Sequence, residues 1–213
     1  MHPYKGIVFD LDGVIVTTDE QHYQGWKALT DCLGIPFDRE VNNQFRGVSR
    51  AACMDILEEL RGKSFTAEEK LEYAAWKNDY YRSLLGEMSP ADLSDEVKIT
   101  LDALRAKGLK LAIGSSSRNA KFILKRIGLA DYFDAISDGT NIQKSKPDPE
   151  VFLKAAEFLH LKPEECLVVE DAVSGVDAAW AGNMKAAAVG DAAQKMHGDY
   201  ILNGIADLLT ILL

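Results

Sequence analysis

Cysteine is scarce in this sequence, with three residues among 213, and their spacing matches neither a metal site nor a disulfide framework. Cys32, Cys53 and Cys166 are far apart, and an odd number leaves at least one without a disulfide partner. Such usage is typical of proteins in a reducing compartment. Because residues 1–5 do not have the features of a targeting segment, we expect the protein in the cytoplasm.

Positive charge is also in short supply, since 24 Lys and Arg face 33 Asp and Glu, for a formal net charge of −9. This deficit argues against nucleic acid or an anionic membrane as partner, because both require a basic surface. Long apolar runs are missing too: residues 7–16 are interrupted by Asp10 and Asp12 and are too few to span a bilayer. Any phosphate must therefore be bound by a few local cations or by a metal ion.

What the chain does contain is an alternation of short apolar segments with amphipathic ones. The apolar segments have the length and composition of buried strands and lie at residues 6–9, 109–113, 135–136, 166–169 and 186–189. The amphipathic segments between them predict helices. This alternation predicts an α/β fold with a doubly wound, mostly parallel sheet.

Residues 17–94 depart from this alternation, because they contain helical patterns and no convincing strand. One of these helical patterns starts with Thr66 and Glu69, which form a capping-box pattern. We therefore predict an α/β core formed by residues 1–16 and 95–213, with an inserted helical cap formed by residues 17–94.

Polar residues follow four of the predicted strands, and the first are Asp10 and Asp12. In open α/β sheets ligands bind at the carboxyl ends of the strands, so these polar residues are expected to share one edge. The carboxylate of Asp10 can attack phosphorus and hold a phosphoryl group covalently. Asp12 can serve as general acid and base. By itself, this pair of aspartates is equally compatible with an ordinary polar turn.

A second acidic pair, Glu170 and Asp171, ends the predicted strand at residues 166–169. Four acidic groups in one site would repel one another without a cation, and hard oxygen ligands suit Mg²⁺. We therefore predict a Mg²⁺ site with Asp10, Asp171 and the backbone carbonyl of Asp12 as direct ligands. Glu170 is expected to act through water.

Two further loops supply groups that suit phosphate. Ser115 follows the second strand, where a hydroxyl and backbone N–H groups can bind a phosphoryl oxygen, although a helix N-cap is the simpler interpretation in isolation. Lys146 precedes a proline in the loop after the third strand and could stabilise negative charge in the transition state. In isolation, a loop lysine is an ordinary solvated charge.

In this order, the set Asp10, Asp12, Ser115, Lys146, Glu170 and Asp171 resembles the motifs of the haloacid dehalogenase superfamily. The resemblance covers essentially the whole chain and is to the group with a helical cap after the first strand. It implies an aspartyl-phosphate on Asp10, a Mg²⁺ cofactor, and action on phosphate esters, since dehalogenases lack the second aspartate.

Thr18, His22, the cap segments at residues 26–29, 45–50, 76–79 and 89–92, and the loop from Ser115 to Asn119 resemble the β-phosphoglucomutases within that superfamily. This resemblance implies a monomeric isomerase that interconverts β-glucose 1-phosphate and glucose 6-phosphate, with glucose 1,6-bisphosphate as priming cofactor and intermediate. It implies catalytic roles for Thr18, His22 and Lys77, of which His22 and Lys77 couple cap closure to the position of Asp12. The residues that it assigns to substrate binding are Trp26, Gly47, Val48, Arg50, Ser116, Ser117, Arg118 and Asn119, with Arg50 on the distal phosphate.

The same resemblance leaves alternatives open. Ser116 and Cys53 stand where an alanine and a serine are expected, which bears on phosphate affinity rather than on the chemistry. A mutase needs two phosphate sites, whereas a sugar-phosphate phosphatase needs one site and a water. From the residues alone, Arg50 is more typical of an ordinary helix surface and His22 of a structural or exposed histidine, so the phosphatase remains the alternative. A non-catalytic phosphosugar-binding protein would leave the complete acidic set unexplained.

Overall fold

The computed structural model describes residues 4–45 and 50–212, and its contacts divide the chain into two compact units. The α/β unit contains the chain up to Thr17 and from Met88 onward, and the helical unit contains Thr18–Glu87. The sequence pattern predicts residues 88–94 in the cap, but the structure groups them with the α/β unit. One reason is that Nε of Arg126 donates a hydrogen bond of 2.9 Å to the carbonyl oxygen of Met88.

In the described part of the chain, the α/β unit contains one sheet of six parallel strands. The strands are β1 (Gly6–Phe9), β2 (Lys110–Gly114), β3 (Ala135–Ser137), β4 (Cys166–Glu170), β5 (Lys185–Ala188) and β6 (Tyr200–Ile201). Their order across the sheet is β3-β2-β1-β4-β5-β6, which places β1 between β2 and β4. The predicted α/β fold with a parallel sheet is confirmed. β6 was not predicted, because two residues leave no periodic signal.

Helices connect the strands and build the insert. They are α1 (Asp19–Leu33), α2 (Arg39–Asn43), α3 (Arg50–Arg61), α4 (Ala67–Leu85), α5 (Asp95–Ala106), α6 (Ala120–Arg126), α7 (Glu150–Phe158), α8 (Val173–Ala181), α9 (Gly190–Gln194) and α10 (Leu208–Leu212). The predicted capping box at Thr66 and Glu69 is present at the start of α4. Across residues 4–45 and 50–212, none of the helices combines the length and the apolar character that crossing a membrane requires.

The sheet is buried on both faces. Val8 and Val168 lie on the face that packs against α7 and α8, where Phe152 and Val176 are fully buried with them. Because side chains alternate across a strand, Phe9 faces the opposite side, and it is fully buried as well. Strands enclosed in this way carry apolar side chains, so the polar chemistry is confined to the ends of the strands and the loops that follow them.

The helical unit has a core of its own. Trp26, Phe37, Phe45, Met54 and Leu57 are buried together in this unit. The rings of Trp26 and Phe45 meet edge to face with centroids 5.1 Å apart. Since burying a large apolar side chain stabilises a fold by about 1.5–3 kcal/mol, these contacts hold the helices of the insert together.

Candidate active site

Asp10 follows β1 directly and lies at the centre of a charged network at the carboxyl end of the sheet. Its backbone N–H donates to the carbonyl oxygen of Val169 at 2.9 Å, and only 7% of the residue is exposed. Nζ of Lys146 donates to Oδ1 of Asp10 and, at 2.5 Å, to Oε1 of Glu170. Lys146 therefore links two strand ends, and the interpretation of this lysine as a solvated loop charge is wrong.

The carboxylates of this network are crowded. Asp10, Glu170 and Asp171 each offer an oxygen within 4.8 Å of the others. Burial raises the pKa of Asp10 to about 7 against the opposing effect of Lys146, and the charge of Glu170 adds to the increase. Burial likewise raises the pKa of Asp171 to about 8, with further increases from Glu170 and Asp10. The single positive charge of Lys146 thus leaves the cluster short of compensating charge.

A divalent cation fits this cluster, because three carboxylate oxygens converge where one lysine cannot neutralise them all. Asp10, Glu170 and Asp171 are the side chains that would hold it. Asp12 is half-buried beside them, and its charge raises the pKa of both Asp10 and Asp171. Coordination by the backbone carbonyl of Asp12, and a water between Glu170 and the metal, stay predictions.

Two glycines leave the space that these carboxylates fill. Gly13 has φ of +88°, and a Cβ at this position would overlap the carboxylate of Asp171. A Cβ at Gly175, in the first turn of α8, would overlap the carboxylate of Glu170. Glu170 is held there by the N–H of Ala172, which donates to Oε2 at 2.7 Å. The acidic cluster therefore depends on missing side chains as well as on present ones.

Ser115 begins the loop after β2, the strand next to β1. Its N–H donates to the carbonyl oxygen of Ser137 at 3.0 Å, and its Oγ accepts from the N–H of Ser117 at 3.2 Å. Oγ of Ser117 in turn accepts from the N–H of Asn119 at 3.1 Å. Because α6 begins only at Ala120, after Asn119, the interpretation of Ser115 as the N-cap of that helix is wrong.

The other predicted residues of this loop differ in accessibility. Asn119 is buried, Arg118 is exposed, and Ser116 and Ser117 are half-buried. Oγ of Ser116 accepts from the N–H of Lys146 at 3.5 Å, which connects the Ser115 loop to the Lys146 loop. Their roles in substrate binding stay predictions.

The helical unit contains a second group of cations. Lys77 is 2% exposed, and its Nζ lies 4.8 Å from the ring centre of Trp26, 4.6 Å from that of Tyr81 and 3.0 Å from Nδ1 of His22. Burial lowers the pKa of Lys77 to about 7, with a further decrease from Arg50. Burial also lowers the pKa of His22, so its neutral ring can accept a hydrogen bond from Lys77.

Three more predicted residues surround this group. Nη2 of Arg50, the first residue of α3, donates to Oδ1 of Asn78 at 2.7 Å. Oγ1 of Thr18 lies 3.0 Å from the hydroxyl of Tyr81, and both are buried. Trp26 is 3% exposed and supports Lys77 from within the core of the helical unit. Gly47 and Val48 lie outside the described residues.

Comparison with known proteins decides the family. A profile described as haloacid dehalogenase-like hydrolase matches residues 4–182. β-Phosphoglucomutase of Bacillus subtilis is 37% identical over 211 residues, which cover 98% of this chain and 93% of the relative. The chain belongs to the haloacid dehalogenase-like hydrolase family. The family resemblance of the sequence motifs is thereby confirmed.

Further relatives of this haloacid dehalogenase-like chain include both mutases and phosphatases. The crystal structure of β-phosphoglucomutase from Clostridium difficile matches with a TM-score of 0.88 and 34% identity, covering 96% of this chain and 93% of that one. A fructose-1-phosphate phosphatase of Escherichia coli is 30% identical, covering 86% of this chain and 95% of the relative. The chain is thus a phosphoglucomutase-like enzyme of the family, with sugar-phosphate phosphatases also close.

Sequence reasoning assigned no role to three residues that support the two groups, one group in each unit. The ring of Tyr81 lies against His22 with centroids 4.1 Å apart. Its spacing of four from Lys77 on α4 was an available signal, because such residues share a helix face. Asn78, beside Lys77, holds Arg50, and Glu150 binds the loop of Lys146. Asn78 belongs to a cap segment, residues 76–79, that resembles the β-phosphoglucomutases, but its contact with Arg50 was not predicted; no local pattern indicated Glu150.

A methyl group at Gly175 is expected to weaken Mg²⁺ binding at the predicted metal site. In Gly175→Ala the Cβ displaces the carboxylate of Glu170, so Mg²⁺ affinity should fall roughly 10- to 100-fold, as for other changes that misplace a ligand. Calorimetric titration with Mg²⁺ measures this. The control is Gly182→Ala at the end of α8, where the new Cβ comes no closer than 3.3 Å to a neighbour. Equal Mg²⁺ affinity in both variants would contradict the prediction.

Proposed function

We propose that the protein is an intramolecular phosphotransferase that interconverts β-glucose 1-phosphate and glucose 6-phosphate through glucose 1,6-bisphosphate. The observation that carries the proposal is that each unit has its own cationic group suited to phosphate. In the α/β unit this is Lys146, with Ser115 at the neighbouring strand end. In the helical unit it is the guanidinium of Arg50, an exposed residue at the start of α3 that is held by Asn78. A bisphosphate carries two phosphates and therefore requires two cationic groups, whereas the substrate of a phosphatase requires only one.

Asp10 is the nucleophile in this proposal. An oxygen of its carboxylate attacks phosphorus, the bond from phosphorus to the sugar oxygen breaks, and Asp12 gives its proton to that leaving oxygen. In the return step a sugar hydroxyl attacks the phosphorus of the aspartyl-phosphate, Asp12 takes the hydroxyl proton, and Asp10 leaves as carboxylate. In the mutase reaction the return step comes first: phosphorylated Asp10 gives its phosphoryl group to a free hydroxyl of β-glucose 1-phosphate, which forms the bisphosphate. The bisphosphate then gives its other phosphoryl group to Asp10, which leaves glucose 6-phosphate and the phosphorylated enzyme.

Lys146 and a bound Mg²⁺ would each stabilise part of the negative charge at this site. The amine of Lys146 donates to Asp10 and Glu170, so it holds the nucleophile in place and can stabilise negative charge on the phosphoryl group. When bound by Asp10, Glu170 and Asp171, Mg²⁺ supplies positive charge that lets a phosphate dianion approach a carboxylate. The carboxylates of Asp10 and Glu170 raise the pKa of Lys146 although burial opposes it, so the amine stays protonated.

One assay tests the proposed reaction. The protein is incubated with β-glucose 1-phosphate, Mg²⁺ and a catalytic amount of β-glucose 1,6-bisphosphate, and ³¹P NMR follows glucose 6-phosphate and inorganic phosphate. We expect glucose 6-phosphate to form many times faster than inorganic phosphate. Stoichiometric release of inorganic phosphate without glucose 6-phosphate would instead establish the phosphatase, the second candidate, which is favoured by the similarity to the fructose-1-phosphate phosphatase.

Replacing Arg50 separates the two candidates at the level of one side chain. If Arg50 binds the second phosphate, Arg50→Ala should lower mutase kcat/KM on the order of 10²-fold, while hydrolysis of p-nitrophenyl phosphate, which has one phosphate, changes little. Arg61→Ala, at the other end of α3, is the matched control and should leave both rates unchanged. Equal losses in the two reactions of Arg50→Ala would contradict a second phosphate site.

A further inference from the structure

The loop that carries Lys146 belongs to no helix or strand, yet it holds the amine of Lys146 against two carboxylates. The loop runs from the end of β3 to the start of α7. The side chain of Lys146 is 10% exposed, and its Nζ lies 4.7 Å from the ring centre of Phe152 while it donates to Asp10 and Glu170. Something other than secondary structure must fix the backbone near Lys146.

Glu150, in the first turn of α7, makes the required contacts. Its Oε2 accepts from the N–H of Gln143 at 2.9 Å and from the N–H of Lys144 at 2.8 Å. Its Oε1 pairs with Nζ of Lys154 at 2.9 Å, and Nζ of Lys154 also donates to the carbonyl oxygen of Asn141. One carboxylate thus fixes two consecutive amides that lie two and three residues before Lys146.

The next part of the loop transmits this restraint to Lys146. The N–H of Asp148 donates to the carbonyl oxygen of Ser145 at 3.1 Å, which closes a turn around Lys146. The N–H of Lys146 itself points to Oγ of Ser116 at 3.5 Å, a long contact that gives little restraint by itself. The two shorter bonds to Glu150 therefore restrain the backbone just before Lys146 more firmly than the contact with Ser116 does.

We propose that Glu150 is a positioning residue for phosphoryl transfer, which acts by holding the 143–144 backbone so that the Lys146 amine stays between Asp10 and Glu170. This role depends on the proposed function in one respect, which is that Lys146 assists the transfer of a phosphoryl group to Asp10. Glu150 does not touch the reacting atoms. An error of about 1 Å at a catalytic group can cost up to about 10²-fold in rate, so loss of this restraint should slow transfer measurably.

Acetyl phosphate is the donor for the test, because it delivers a phosphoryl group without any sugar. In rapid-quench experiments with Mg²⁺ and the full chain, Glu150→Ala should phosphorylate on the order of 10- to 100-fold more slowly than wild type. Glu150→Gln should recover most of this rate, since one amide oxygen can accept both N–H groups. Glu157→Ala, two turns along α7 and on the same surface cavity, should match wild type.

The outcomes separate the two proposals. An unchanged phosphorylation rate in Glu150→Ala, or a loss that Glu150→Gln does not recover although both variants keep the wild-type circular dichroism spectrum, would overturn the positioning role alone. Failure of wild type itself to accept a phosphoryl group would overturn phosphoryl transfer to Asp10, and the role of Glu150 with it. In steady state with β-glucose 1-phosphate, the positioning role predicts a lower kcat per folded molecule with little change in KM, where circular dichroism gives the folded fraction.

Discussion

Asp10→Asn is expected to lower phosphoryl-transfer turnover on the order of 10⁴- to 10⁶-fold, as for other nucleophiles in which covalent catalysis is lost. The amide has the size of the carboxylate but cannot form an acyl phosphate. The fold should persist, because the substitution removes one of three crowded carboxylates from a buried cluster. Turnover of β-glucose 1-phosphate and acid-stable ³²P labelling from acetyl phosphate measure the two losses.

A carboxylate elsewhere in the α/β unit provides the control. Asp199 accepts from Nε1 of Trp180 at 2.7 Å and pairs with Lys185 at 2.6 Å, remote in the fold from the strand ends that carry the acidic cluster. Asp199→Asn should retain wild-type turnover and lose some stability. Labelling of Asp10→Asn at the wild-type level would show that another residue accepts the phosphoryl group.

Lys77→Met is expected to stabilise the protein at neutral pH. The methionine keeps the length of the side chain and its contacts with Trp26 and Tyr81 while removing a buried charge. Because burial lowers the pKa of Lys77 to about 7, the lysine costs up to about 5 kcal/mol of unfolding free energy at that pH, relative to the neutral side chain. Urea titration of both proteins measures the difference.

The stability difference between Lys77→Met and wild type should decrease as the pH rises. Between pH 7 and about 10.5 the unfolded chain keeps the proton on Lys77 and the folded chain has lost it, so wild-type stability rises with pH over this interval. The advantage of Lys77→Met should therefore be fully present below pH 7, fall to roughly half at pH 9 and be nearly absent above pH 10.5.

A second lysine on the same helix controls for the substitution itself. Lys70 on α4 pairs with Asp55 at 2.6 Å and with Glu58 at 2.7 Å, and it is partly exposed. Lys70→Met should give no gain in stability at pH 7. A variant Lys77→Met that is less stable than wild type at pH 7, or whose gain is unchanged at pH 10.5, would contradict a buried charge at Lys77.

The sheet and its acidic edge could be predicted from the sequence because both depend on local signals. Apolar runs such as residues 6–9 predict strands that are buried on both faces, and Asp10 follows that run directly. Parallel strands then bring Asp10 and Glu170 to one edge, since β1 and β4 are neighbours in register. The order of the motifs was enough to identify the family. The geometry of the charged network follows from the fold.

The supporting contacts could not be predicted, because they join residues that no sequence pattern connects. Glu150 binds amides on the other side of a turn, and Ser115 uses its hydroxyl inside its own loop rather than at a helix start. The partners of Lys77 come from α1 and α4, whose pairing is a property of the folded insert. The role of Lys146 was ambiguous for the same reason, because only the folded structure shows two carboxylates beside its amine.

The central position of β1 also sets an order of events during synthesis on the ribosome. β1 pairs with β2 and β4, which are made only after the entire helical unit, and its register with β4 joins Phe9 to Val169. Contacts of such long sequence separation form late, because a large loop must close first. The helical unit can therefore fold around its own core before the strands that pair with β1 have been made. A nascent chain that ends before residue 166 would contain Asp10 without Glu170 and Asp171, so the acidic cluster can form only after most of the chain has been made.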